Sequence, residues 1–257
     1  MVGRRAIWFP HGLACVLATC TGLGCRQSDE VGGGEVEFNL PTASFSVTSD
    51  PNDSRWLRVP PQGIPNQICR GNAALTDNCC HPVGFEEPID CQQFPLSCDA
   101  AGWCALVFAY NDTADIDLGA HVPVLRERRD WVLARAELPV LKIQVTEQRR
   151  SDRPALPIES AQLYVAPQGV LSPRDPASRI LASIPLVPSS TVALDPDARS
   201  ALSTFLTDFN TPFTLILVAH VAIESPHTSQ DDVTWQPSEE TFETLSIEID
   251  GRVQASF

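Results

Sequence analysis

Lysine is all but missing from this chain. Among 18 basic residues Lys142 is the one lysine, so chemistry that needs a lysine amine has a single candidate, set between Leu141 and Ile143 in a strand-like run. Positive charge of any kind is scarce: 18 Lys+Arg stand against 32 Asp+Glu, a formal charge of −14. A chain of that sign repels phosphate backbones and anionic lipid, which argues against nucleic acid as a partner and against polybasic membrane contacts. No apolar run approaches the roughly 20 residues that a membrane-crossing helix needs. The motifs of common catalytic sites are missing too: there is no GxSxG elbow, no HExxH helix, no P-loop and no SxxK. Finally, cysteine is absent from residue 105 onward, although the chain holds nine.

What is present begins with an export address. Arg4 and Arg5 precede an apolar stretch from Gly12 to Gly24, and Cys25 is followed at once by Arg26-Gln27-Ser28-Asp29-Glu30. Residues 1–24 therefore read as a signal peptide, removed rather than folded. The Gly24-Cys25 junction resembles the lipobox of bacterial lipoproteins, whose cysteine becomes the acylated first residue of the mature chain. The match is partial, because Gly22 and Leu23 stand where that family usually carries Leu and then Ala, Ser or Thr. Leu17-Ala18-Thr19-Cys20 is a rival site, and plain secretory cleavage is the alternative. In that family Asp after the cysteine marks retention in the inner membrane; with Arg26 there, the resemblance implies the outer membrane or the cell surface. Residues 25–34, with Gly32-Gly33-Gly34, suit a lipid attachment point and flexible tether. Several acyl chains, at about 0.8 kcal/mol per buried methylene, would make the anchor stable.

Six further cysteines, Cys69, Cys79, Cys80, Cys91, Cys98 and Cys104, crowd a turn-rich segment, 69–104. In an exported chain they imply three disulfides, with Cys79 and Cys80 bound to different partners and the connectivity otherwise open. Without cross-links this segment has too little apolar surface to order itself. Zinc is the rival reading of Cys79-Cys80-His81, but the paired CxxC spacing of structural zinc is absent. Partial lipobox, glycine tether, cysteine segment and the proline-punctuated region that follows together look like the uncharacterised exported lipoproteins of myxobacteria and relatives.

The remainder alternates with period two. Ala114, Ile116, Leu118, Ala120, Val122 and Val124 predict one strand, as do Leu141-Ile143-Val145, Ala161-Leu163-Val165 and Leu245-Ile247-Ile249. Phe213 to Ile223 is apolar on both parities, which predicts a central strand covered on two sides. Val36-Phe38-Leu40 and Ala43-Phe45-Val47 suggest a first pair, and Asp250-Gly251 either a turn or a bend in one long strand. One helix is expected, capped by Asp195, opened by Pro196 and carrying Ala198, Leu202, Phe205, Leu206 and Phe209 on its apolar stripe. Eight or nine strands and one helix predict a mainly β chain: an antiparallel β-sandwich spanning 35–257 as a single domain, with the disulfide-rich segment as an insertion.

Function is less legible. Asp112, Asp115 and Asp117 offer oxygens that suit calcium, the only cofactor these residues suggest; without an EF-hand pattern a solvated strand face explains them equally well. Further acids stand at Asp231-Asp232 and Glu239-Glu240, and Asn52-Asp53-Ser54 and Asn111-Asp112-Thr113 match the N-glycosylation triplet. Of the histidines, His220 reads as a strand residue and His227 as an exposed loop residue, so no catalytic residue is assigned. The expectation is an exported, lipid-anchored envelope protein, held to a membrane by acyl chains, that binds an envelope protein or surface ligand or plays a structural part. A secreted or surface-anchored hydrolase with a non-motif active site is the alternative. Braced loops often present contacts, so recognition is expected between Cys69 and Cys104, with Phe85, Phe94 and Trp103 as apolar contacts and the sandwich surviving reduction.

Overall fold

A computed structural model of the chain describes residues 34–48, 52–56, 59–69, 79–82, 84, 86–98, 102–130, 132–148, 158–224 and 244–257. The expected signal peptide, Cys25, Phe85, His227 and the acidic pairs at 231–232 and 239–240 lie outside these residues. Eleven strands are described: β1 (Glu35–Asn39), β2 (Ala43–Thr48), β3 (Leu96–Cys98), β4 (Cys104–Ile116), β5 (Arg135–Glu137), β6 (Val140–Gln148), β7 (Ile158–Pro167), β8 (Arg179–Ile184), β9 (Ser189–Ala193), β10 (Phe213–Glu224) and β11 (Thr244–Ser256). Three helices join them: α1 (Leu118–His121), α2 (Pro123–Arg126) and α3 (Pro196–Thr207).

The strands form two antiparallel sheets, as the alternation requires. The first runs β1-β11-β6-β9, with β2 and β5 also paired to β11; the second runs β3-β4-β10-β7-β8. Apolar parities from both, among them Phe45, Ile143, Ile247 and Val253 from the first and Leu106, Tyr110, Leu163 and Leu217 from the second, meet in one buried cluster. The sandwich is therefore a single core.

Strand β11 organises the first sheet, and it is one long strand, bent rather than turned at Asp250-Gly251. On one flank β1 pairs with its C-terminal half and β2 with its N-terminal half, while Leu40, Pro41 and Thr42 face Asp250 and Gly251. On the other flank β5 and β6 divide in the same way, with a break over Leu138-Pro139. Each flank thus carries one extra residue, a bulge where a proline loses no ladder donor. Both bulges sit beside Gly251, and a Cβ there would lie 2.6 Å from Leu138 Cδ1 and 2.9 Å from the Val140 carbonyl oxygen. Only glycine fits that crowding. Val36-Phe38 and Phe45-Val47 accordingly do not pair with one another as the sequence suggested; both strands lie along β11.

A second expectation also needs correction. The predicted strand from Ala114 to Val124 stops at Ile116, because the Asp117 carboxylate accepts the Ala120 N–H at 2.8 Å and turns the chain into α1, after which Pro123 opens α2. Leu118, Val122 and Leu125 are buried, four and three residues apart, which is helical spacing that mimicked alternation. Helix α3 forms as expected, with Asp195 accepting the Ala198 N–H at 2.7 Å and Ala198, Leu202 and Leu206 buried. It packs on β5 of the first sheet and on β7 and β8 of the second, and the Ser203 hydroxyl donates to the Ala136 carbonyl at 2.6 Å. The helix thereby covers the edge of β5 just where β9 ends.

Candidate functional site

Two places concentrate chemistry-bearing side chains. The first is the cysteine segment. Its six half-cystines pair as Cys69–Cys98, Cys79–Cys104 and Cys80–Cys91, with Cα separations of 5.8, 5.6 and 5.7 Å. The adjacent cysteines do take different partners. Two bridges grip the start of the second sheet, since Cys98 and Cys104 stand opposite each other where β3 meets β4. Beside them the chain before Cys69 adds a short rung: Cys69 N–H donates to the Gly102 carbonyl at 2.7 Å, Cys104 N–H to the Gln67 carbonyl at 3.1 Å, and Ile68 bridges Trp103.

Burial divides the three bridges. Cys69, Cys79 and Cys104 are buried and belong to the main core together with Ile89 and Leu96, whereas Cys80 and Cys91 are only half-buried. The segment is thus continuous with the sandwich rather than a separable surface loop. Of the apolar contacts expected there, Phe94 is half-buried and packs against the core, and Trp103 is half-buried at the added rung. The sulfurs of Cys69, Cys79 and Cys104 lie within 4.8 Å of one another, the only set of three or more potential metal ligands that converges among the described residues. All three are oxidised, so no thiolate remains to bind zinc.

The second place is the corner where the free side of β4 meets β2. Asp112 has the core-facing parity of β4, between Tyr110 and Ala114, and it lies where that strand is paired with β10 on one side and unpaired on the other. Its Oδ2 accepts the Ser46 N–H of β2 at 2.7 Å, so one carboxylate caps an edge amide of the other sheet. Its Oδ1 accepts Arg55 Nη1 at 2.6 Å. Arg55 in turn donates Nε and Nη2 to Asp53 at 3.1 and 2.8 Å, and its guanidinium lies 5.0 Å over the Tyr110 ring. Tyr110, whose ring is in the core, donates its hydroxyl to Asp53 at 2.9 Å, and Trp56 stacks edge-on against Phe108 at 5.2 Å.

The electrostatics follow from that geometry. The hydrogen bonds from Arg55 hold the Asp53 carboxyl down to about 2, against the opposing effect of its partial burial. The same pairing raises Arg55, and burial, reinforced by the bond to Asp53, raises Tyr110. All three groups keep one charge state through the physiological range. A site whose proton affinities are pushed away from neutrality suits a latch between sheets better than acid–base catalysis.

The three carboxylates expected to suit calcium have separate partners in this structure. Asp112 is taken by Ser46 and Arg55; Asp115, on the opposite face of β4, accepts the Thr214 hydroxyl at 2.7 Å; Asp117 caps α1. Strand parity sends Asp112 and Asp115 to different faces and Asp117 is turned into a helix cap, so these three do not converge. The cation that Asp112 meets is a guanidinium. Sequence reading missed Asp53, Arg55 and Tyr110 as a set; the Asp-x-Arg spacing was the one local hint. Neither histidine of the described strands and helices gathers a catalytic group: His121 is exposed with Nδ1 2.9 Å from the Asp117 carbonyl, and His220 is half-buried on the outer face of β10.

No known protein family matches the sequence, and no curated protein resembles it. Among solved structures, the decameric BFDV capsid protein aligns over 86% of this chain and 99% of its own, at 10% identity and a TM-score of 0.31. A likeness of that size says nothing of function. The disulfides are consistent with an exported protein, and among the described residues no helix is long and apolar enough to cross a membrane.

Proposed function

We propose that this chain is an exported, lipid-anchored protein of the cell envelope that acts as a binding or structural module, not through catalysis. The observation that carries the reading is the set of three disulfides rooted in the sandwich, since such bridges persist only in an oxidising compartment. The Gly24-Cys25 junction and the glycine-rich stretch behind it add the anchor and its tether. The charged corner at Arg55 adds a rigid joint between the sheets, with every charge partnered inside the molecule. The head bounded by Cys69 and Cys104 is the region we assign to contact with an envelope protein or surface ligand.

The anchor is tested by substituting Cys25→Ser in the full-length chain and fractionating the cells. Wild type should sediment with membranes and the variant should be released to the soluble fraction. Equal fractionation of the two would overturn the lipid anchor and leave a secreted module.

A further inference from the structure

An antiparallel sandwich with open sheets has edges, and an unguarded edge is a template for another strand. Five of the edge strands here are guarded. In the first sheet, β1 carries Glu35 and Glu37 and leads into the Pro41 bulge, and the outward amide of Ser46 in β2 is taken by Asp112. The edge of β5 is covered by α3 through Ser203. In the second sheet, β8 is bulged at Leu181, where its register against β7 shifts, while β3 has three residues and is cross-linked through Cys98.

Among the described residues, strand β9 has none of these devices. Its sequence, Ser189-Ser190-Thr191-Val192-Ala193, holds no charge and no proline in a chain of net charge −14. Its pairing with β6 determines which groups are spare. Val145 N–H donates to the Pro188 carbonyl and Leu194 N–H to the Pro139 carbonyl, each at 3.1 Å, so residues 188, 190, 192 and 194 direct their backbone groups at β6. By the alternation of an antiparallel ladder, Ser189, Thr191 and Ala193 direct theirs away from the sheet, and all three are exposed.

We infer that the free edge of β9 pairs antiparallel with β9 of a second copy, about a two-fold axis through Thr191. Register selects this occupant. With the axis at Thr191, Ser189 meets the partner's Ala193 and Thr191 meets the partner's Thr191, so every outward-facing residue meets an outward-facing residue and the spare donors and acceptors all pair. Shifting the partner by one residue sets outward groups against inward ones. The strip brings no like charges together, whereas the rest of the chain is strongly acidic, so β9 is the stretch of edge on which two copies can approach. The result is one sheet continuous through β11-β6-β9 of each copy. This inference does not depend on the lipid anchor.

Sedimentation of the full-length chain extracted in detergent tests it. Wild type should show a monomer–dimer equilibrium whose dimer share rises with salt, as screening weakens the repulsion between acidic copies. Thr191→Glu opposes two carboxylates at the axis and leaves the ladder to β6 untouched; Thr191→Pro removes the outward donor. Each should weaken association about tenfold or more, while Ser183→Glu on the blunted β8 edge should leave it unchanged. Residues opposed in a hydrogen-bonded antiparallel pair have Cα atoms about 5.5 Å apart, within disulfide reach. Thr191→Cys should therefore yield, on oxidation, a dimer whose bridging peptide joins residue 191 to itself. A chain that stays monomeric at all concentrations, or a dimer indifferent to both Thr191→Glu and Thr191→Pro, would overturn the inference.

Discussion

The two sheets share one core and treat their outer faces differently. In β11 burial alternates without a break from Thr244 to Ser256, so one face belongs to the core and the other to water. In β10 both parities are buried from Phe213 to Ala219, including Thr214, Ile216 and Val218 on the outer side. There Ile216, Val218 and Ala166 form a second small cluster, against which Tyr164 and Val170 pack. The difference teaches how each sheet is held. The first relies on one long strand flanked by two proline bulges; the second relies on a covered central strand, with disulfides gripping β3 and β4 at one end.

The largest break in that comparison should come from changing the charge carried on each outer face. Ile216→Asp would place a carboxylate in the covered face of β10 and is expected to cost about 3–5 kcal/mol, as uncompensated buried charges do. Glu248→Lys, on the exposed face of β11, should stay within about 0.5 kcal/mol of wild type. Urea midpoints of the two variants check this, and similar losses in both would mean that β10 is not covered.

The disulfides should separate in the same spirit, by a smaller margin. Cys79→Ala with Cys104→Ala removes a bridge from the core and should cost about 2–4 kcal/mol. Cys80→Ala with Cys91→Ala opens the half-buried bridge over the shorter loop, and chain entropy alone makes that loss about 0.7 kcal/mol smaller. The expectation from composition, that the sandwich survives reduction as a separate body, becomes a graded one: loss of Cys80–Cys91 should be local, whereas loss of Cys79–Cys104 should lower the melting temperature of the whole domain. Equal effects would show that burial does not rank the bridges.

The smallest effect concerns the corner latch. Because the folded Asp53 carboxyl is held to about 2, below its ordinary 3.8, its stabilisation is fully present above about pH 4 and is lost as pH falls toward 2. The stability gap between wild type and Asp53→Asn should therefore be constant near neutrality and shrink across that acid window. A gap that is flat from pH 5 to pH 2 would remove Arg55 as the cause.

Much of the fold was legible because its signals are local. Alternation located β6, β7 and β11, the double-parity run located β10, and Asp195-Pro196 located α3. The same alternation misled after Ile116, where only the capping bond of Asp117 distinguishes a helix start from a continuing strand. Strands β8 and β9 passed unnoticed: a bulge at Leu181 breaks the pattern of the first, and Ser189–Ala193 has almost no apolar signal. The count of eight or nine strands became eleven because β8, β9 and the three-residue strands β3 and β5 carry too little pattern to be read from sequence.

Composition and spacing by themselves determined the β class, the buried parity of each regular strand, the capped helix and the presence of three disulfides among six clustered cysteines. Each of these depends on a backbone period, a cap within four residues or a redox compartment. Only the tertiary structure decided which cysteines pair, that β1 and β2 both lie along β11, that Asp112 meets Arg55, and that no described element covers the edge of β9. Those outcomes rest on segments such as Ser46 and Asp112, or Cys79 and Cys104, being brought side by side across long separations. The energy that chooses among such pairings comes from burying the whole core at once, and no local stretch of sequence contains it.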